Sequence, residues 1–148
     1  MKELSEKDLN LENEIVAIIE KGNEYSTKKK YDLAISLYNQ AWEILPEPKL
    51  EWEMLSSWLA GSYFTANFHK GDFGQAKEWA LKQKKADGSE INTAPSIDLG
   101  MVYYEMNDFD EAYQYFNDAY SYGKERAFRR RPKKYLEFYL NMKKNNIN

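Results

Sequence analysis

One set of small and aromatic residues occurs twice along this chain. It runs Gly22, Tyr25, Tyr31, Ala34, Tyr38, Ala41, and it returns as Gly100, Tyr103, Phe109, Ala112, Phe116, Ala119. The spacing is that of a helix, a short turn and a second helix pressed against the first. Glycine at 22 lets two backbones approach, tyrosines at 25 and 31 fill the seam, and Ala34 is small where the helices cross. Tyr38 and Ala41 continue the buried stripe, and Pro46 ends it.

Composition supports such a fold. Of 148 residues, 43% are hydrophobic and 16% aromatic, with 12 Tyr, 7 Phe and 4 Trp to fill space between helices. Only 7 Gly and 4 Pro are present, too few for a loop-rich or all-β chain. The absence of cysteine removes disulfides and thiolate catalysis and fits a reducing compartment. The N-terminal residues lack the apolar core of a signal peptide. The apolar run from Leu50 to Phe68 is interrupted by Glu51, Glu53, Ser56 and Ser57, so it does not read as a membrane span. The expectation is a single soluble, cytoplasmic domain over 1–148.

Taken in order, Ser5 to Asp8 reads as a capped helix start. Helices are expected over about 11–28 and 31–45, with Lys28 to Lys30 as the turn and Pro46 and Pro48 as the stop. A lengthened helix is expected over about 49–69. The turn at Gly71 and Asp72 leads into a helix from Phe73 to about Ala86. The loop of 87–90 ends at a helix beginning near Pro95, a favoured place for proline. Asn107 and Asp108 make the next turn, Phe109 to Tyr122 the next helix, and Gly123 closes it. A last helix over about 132–143 would cover the apolar end of the stack, with 145–148 frayed.

These residues resemble the tetratricopeptide repeat, a helical-hairpin family with a period of about 34 residues. The units fall at about 15–48, 57–90 and 93–126. Ala34, Ala76 and Ala112 are 42 and 36 residues apart, which fits insertions of eight and two residues. Ile18, Lys21 and Ser96 depart from the family pattern. The middle unit is degenerate, with Phe64 in place of glycine and Asn67 in place of tyrosine. The implied fold is all-α: a TPR-like α-solenoid of three helical hairpins plus a C-terminal capping helix.

Little in the sequence points to catalysis, and no enzyme activity, cofactor, metal or small-molecule ligand is expected. The lone histidine, His69, has no nucleophile or metal-ligand set beside it. Asp108, Asp110 and Glu111 lack the spacing of a calcium loop and sit at a helix start, where negative charge is favoured. Charge is nonetheless segregated. Residues 86–123 hold eight carboxylates and no Lys or Arg, whereas 124–144 hold nine basic residues and two glutamates. The cluster Arg126, Arg129, Arg130, Arg131, Lys133, Lys134 could meet phosphates. A tether to the acidic repeat is preferred, in a chain that is acidic overall.

The resemblance implies a protein-binding surface on the first helix of each hairpin. By alignment, the groove-facing positions are Val16, Ile19, Asn23, Ser26 and Thr27 in the first repeat and Trp58, Gly61, Thr65, Phe68 and His69 in the second. In the third they are Ala94, Ile97, Met101, Tyr104 and Glu105. Val16, Ile19 and Ile97 read as core. The selected contact residues are Asn23, Phe68, His69, Met101, Tyr104 and Glu105, joined by the acidic edge Asp108, Asp110 and Glu111. Asn23 also matches repeats that clamp the carboxylate tail of heat-shock chaperones. The other clamp positions hold Ile19, Ser62, Ala94 and Asp98, so the cationic part is missing. The expected partner is a protein with a basic surface. By analogy of size and charge with small bacterial immunity proteins, it is a basic toxin domain. A peptide-binding adaptor or co-chaperone and a nucleic-acid binder are the alternatives.

Overall fold

The computed structural model describes residues 3–87 and 91–147. Among the described residues seven α-helices follow one another: α1 (Leu9–Thr27), α2 (Tyr31–Ile44), α3 (Glu53–Lys70), α4 (Phe73–Asp87), α5 (Ala94–Glu105), α6 (Phe109–Gly123) and α7 (Lys133–Ile147). Short 3-10 turns occupy Leu4–Glu6, Lys49–Glu51 and Lys124–Phe128, and no strand occurs among the described residues. The fold is an all-α helical repeat. The chain divides into two compact units, an N-terminal one holding α1 to α4 and a C-terminal one holding α5 to α7.

In the N-terminal unit α1 pairs with α2, α2 stacks on α3, and α3 pairs with α4. The glycine of the motif explains the first pairing. A Cβ on Gly22 would lie 2.5 Å from the Tyr38 ring, so only glycine lets that ring seat against α1. The middle hairpin reverses the pair. Phe64 stands at the glycine position and Ala80 at the tyrosine position, and both are buried. Ala34 and Ala76 are fully buried. The seam between hairpins is aromatic: Tyr63 lies parallel to Trp79 with centroids 3.6 Å apart, and Trp42 meets Trp79 edge-on at 5.1 Å.

In the C-terminal unit α5 pairs with α6, and Gly100 takes Phe116 as Gly22 takes Tyr38. The turn Lys124–Phe128 and α7 then pack on α6. Tyr135 and Tyr139 of α7 are buried, Tyr139 donating from its hydroxyl to Asn117 at 2.6 Å. Within this unit α7 therefore caps the hairpin, as the basic, aromatic tail suggests.

The three hairpin turns share one device. Lys29, Gly71 and Asn107 have φ of 63°, 92° and 63°, each two residues before the aromatic residue that starts the next helix. Tyr31, Phe73 and Phe109 are those starts.

Several boundaries differ from the sequence reading. The N-cap of α1 is Asp8, which accepts from the Leu11 amide at 3.0 Å, and Ser5 lies in the preceding 3-10 turn. The lengthened helix is broken: 49–51 form a 3-10 turn and α3 begins at Glu53. The reason is local. Lys49 sends its ammonium back to the carbonyls of Trp42 and Leu45, each at 2.6 Å, satisfying the end of α2. Trp52 donates to the Pro46 carbonyl at 2.9 Å. Both contacts hold this segment against α2. The final helix runs on to Ile147 instead of fraying after 144. Gly88, read as a helix stop, and the loop residues Ser89 and Glu90 lie outside the described residues.

Candidate functional site

The first helices of the two N-terminal hairpins form the walls of an open cavity of about 730 Å³. From α1 come Asn23, Ser26 and Thr27, on the turns that follow Gly22. From α3 come Glu53, Met54, Ser57, Trp58, Gly61, Ser62 and Thr65. Small residues at 57, 61 and 65 recur every fourth position, so one face of α3 is stripped of bulk along its length. Gln83 and Asp87 of α4 and Glu3 complete the wall.

The floor is polar. Tyr38 donates from its hydroxyl to Asn23 Oδ1 at 2.5 Å. Burial raises the pKa of that hydroxyl, and hydrogen bonding with Ser26 and Ser62 works against the rise. Gln83 lies over Gly61, where its amide nitrogen is 2.9 Å from the position a Cβ would take. The Gln83 Oε1 is buried and has no hydrogen-bond partner among the described residues. Three carboxylates and no basic side chain line the cavity. Trp58 is half-buried and Met54 is 45% exposed, which gives the polar wall an apolar contact strip.

The residues selected from sequence fall in different places. Asn23 lines the cavity. Phe68 and His69 lie further along α3 and are not among its lining residues. Phe68 packs on Phe64 and Phe73, both at 5.4 Å, and the exposed His69 stacks beside Tyr31 at 6.2 Å. Met101, in the C-terminal unit, is 94% buried, being 6% exposed. Tyr104 meets Phe109, Tyr135 and Phe138 edge-on. Glu105 accepts from Lys134 at 2.7 Å and from the Tyr135 hydroxyl at 2.6 Å. Burial raises its pKa, but these two hydrogen bonds and the Lys134 charge outweigh that and leave it lowered. Asp108 caps α6 by accepting from the Glu111 amide, and Asp110 and Glu111 are exposed in the first turn. Ile19 and Ile97 are fully buried, in line with their reading as core.

The sequence reading placed Ser26, Thr27, Trp58, Gly61 and Thr65 on the groove face but did not select them. It missed Glu53, Met54, Ser57 and Gln83. The fourfold spacing of Ser57, Gly61 and Thr65 was the available signal for the α3 side. Nothing in the sequence marks Gln83, which reaches the cavity from the neighbouring helix.

The basic segment is partly consumed inside the C-terminal unit. Arg131 donates to Asp98 at 2.9 Å and Lys134 pairs with Glu105. Arg126, Arg129, Arg130 and Lys133 are exposed. Among the described residues no group of three or more His, Cys, Asp or Glu is placed to hold a metal ion, and no helix is long and apolar enough to cross a membrane.

Paired antiparallel helices with a glycine–aromatic lock and a left-handed turn residue define a helical-hairpin repeat. Residues 16–47 and 97–122 match the family model of the tetratricopeptide repeat, and these segments are the hairpins α1–α2 and α5–α6. The chain carries two tetratricopeptide repeats, one in each compact unit. Such repeats generally mediate protein–protein interaction, and proteins built from them are typically non-enzymatic scaffolds. No curated protein matches the chain.

Proposed function

We propose that this chain is a protein-binding module whose receptor surface is the α1–α3 cavity of the N-terminal unit. The observation that carries this reading is the wall itself: small polar residues along two adjacent first helices, one half-buried tryptophan, and a lining that holds carboxylates but no basic side chain. The partner is a basic protein. Asp108, Asp110, Glu111 and Asp118 add an exposed acidic edge on α6, which accelerates encounter with such a partner. A basic toxin domain held inactive by this chain, as an immunity protein holds its toxin, is the form of partner this charge pattern favours.

The test is a titration of the purified product of a neighbouring gene against three proteins: wild type, Trp58→Ala, and Asp110→Asn/Glu111→Gln. Trp58→Ala should weaken binding through a faster off-rate. The charge variant should slow association and flatten its salt dependence. Binding that none of these changes alters removes the cavity from the function. Relief of toxicity on co-expression, lost with Trp58→Ala, is the expected result for the toxin reading; toxicity unchanged by the wild-type chain removes that reading alone.

A further inference from the structure

We infer that the α1–α3 cavity receives a lysine or arginine side chain of its partner, with Trp58 as the face it lies on and Glu53 as its counter-ion. This rests on the protein-binding reading above. Four features of the wall point the same way. Trp58 is half-buried on the lining, so part of its side chain stays open to a ligand. An aromatic ring attracts a cation over its face, and tryptophan does so best. Glu53 and Glu3 supply carboxylates on the same lining, and no ammonium or guanidinium among the described residues reaches the cavity to neutralise them.

The fourth feature is the amide of Gln83. It lines the cavity and lies over Gly61, and its oxygen is buried without a donor among the described residues. An unpaired buried acceptor carries a desolvation cost that a ligand donor removes. A guanidinium carries five N–H donors and an ammonium three, so either has donors left for the uncharged acceptors of the wall after pairing with Glu53. An anionic ligand meets carboxylates and no cation here, and a purely apolar one leaves the Gln83 oxygen without a donor.

The experiment uses the whole chain, isotope-labelled, and follows the amide and tryptophan indole signals by NMR. Three short Gly/Ser peptides are titrated, identical except for a central arginine, citrulline or glutamate. The arginine peptide should shift Trp58, Gly61 and Gln83 in a salt-dependent way. The citrulline and glutamate peptides should leave them in place. Glu53→Gln should weaken the arginine peptide about tenfold, as expected for losing one partly buried charge partner. Gly61→Ala, which pushes Gln83 out of its seat, should weaken it as well.

Equal shifts with arginine and citrulline overturn the cation inference while leaving the cavity as a protein-binding site. Shifts that map outside the cavity, or no shift with any peptide at millimolar concentration, overturn it too. The protein-binding reading itself fails separately, when the folded partner binds wild type and Trp58→Ala alike.

Discussion

Phe116 lies across Gly100 so closely that a single added methyl would fall inside the ring's van der Waals envelope. The same relation holds between Tyr38 and Gly22, at the same separation in sequence. Two opposing effects act when either glycine becomes alanine. Helix propensity favours alanine by about 0.5–1 kcal/mol. Overpacking a full core costs about 1–3 kcal/mol, because neither the ring nor the α5 backbone can yield without opening the hairpin. The second effect wins. Gly100→Ala should lose about 1–2 kcal/mol in denaturant unfolding, and adding Phe116→Leu should recover part of it. Gly74→Ala is the control of opposite sign, since the nearest atom to its added methyl is 3.9 Å away. A Gly100→Ala protein as stable as wild type would show that the ring is not fixed by the glycine.

The shared turn geometry gives a second expectation. Lys29 and Gly71 occupy equivalent places with φ of 63° and 92°. A side chain in this region costs about 1 kcal/mol from Cβ crowding. Lys29→Gly should therefore stabilise the chain by up to about 1 kcal/mol, and Gly71→Ala should destabilise it by a similar amount. Space is not the cause at Gly71, where no atom lies within 4 Å of an added Cβ. Gly71→Asn should consequently recover part of the loss although asparagine is larger than alanine, because asparagine tolerates the left-handed region. Thermal unfolding of the three variants side by side decides it. Loss that grows with side-chain size would assign the effect to crowding instead.

A third expectation concerns Asp98, which is 7% exposed and pushed up to about 6 by burial, against the opposing charge of Arg131. Its ordinary value is 3.8, so the folded chain holds this proton more tightly than the unfolded one. Ionising it therefore costs stability. The loss begins as pH rises past about 4 and is complete above about 6, and it amounts to on the order of 3 kcal/mol. Other carboxyls titrate in the same range, Glu105 in the opposite sense, so the difference between wild type and Asp98→Asn is the useful quantity. Asparagine keeps an acceptor for Arg131 but carries no charge. The variant should gain on wild type between pH 4 and pH 7 in denaturant unfolding. A variant that loses ground as pH rises would mean that the Arg131 pair outweighs burial.

The repeat could be read from sequence because its signposts are steric. Gly22, Ala34, Gly100 and Ala112 are small where a neighbour must come close, and a one-dimensional pattern records that directly. The middle hairpin was harder for the same reason. With Phe64 and Ala80 exchanging the large and small roles, the packing is kept while the motif disappears. The break at Trp52 was invisible because it depends on Lys49 reaching back to α2, a contact set by three-dimensional proximity. The candidate site divides likewise. Asn23, Trp58 and Thr65 lie on first-helix faces that the resemblance to the repeat family marks. Gln83 arrives from α4, and the commitment of Glu105 to Lys134 and Tyr135 joins helices about thirty residues apart. Segregated charge in the sequence suggested that the tail meets the acidic repeat, but it could not say which pairs form.

Those pairs differ in weight, and the difference is measurable. Glu105 accepts from Lys134, whose side chain is 50% exposed, and from Tyr135, which is 1% exposed. An ion pair with one partner in solvent contributes about 0–1 kcal/mol after screening and side-chain ordering. The Tyr135 hydroxyl is shielded, and a hydrogen bond to a charged group away from water contributes about 1.5–3 kcal/mol. The neutral hydroxyl, and not the ammonium, should therefore hold α7 to α5. Tyr135→Phe should destabilise the chain more than Lys134→Ala, although it removes one oxygen and no charge. Raising salt should erase the Lys134→Ala effect and leave the Tyr135→Phe effect nearly intact. Hydrogen exchange of the α7 amides in the two variants reads the same hierarchy locally, with faster exchange in Tyr135→Phe. The reverse order, with Lys134→Ala the more damaging at high salt, would assign the cap to charge pairing.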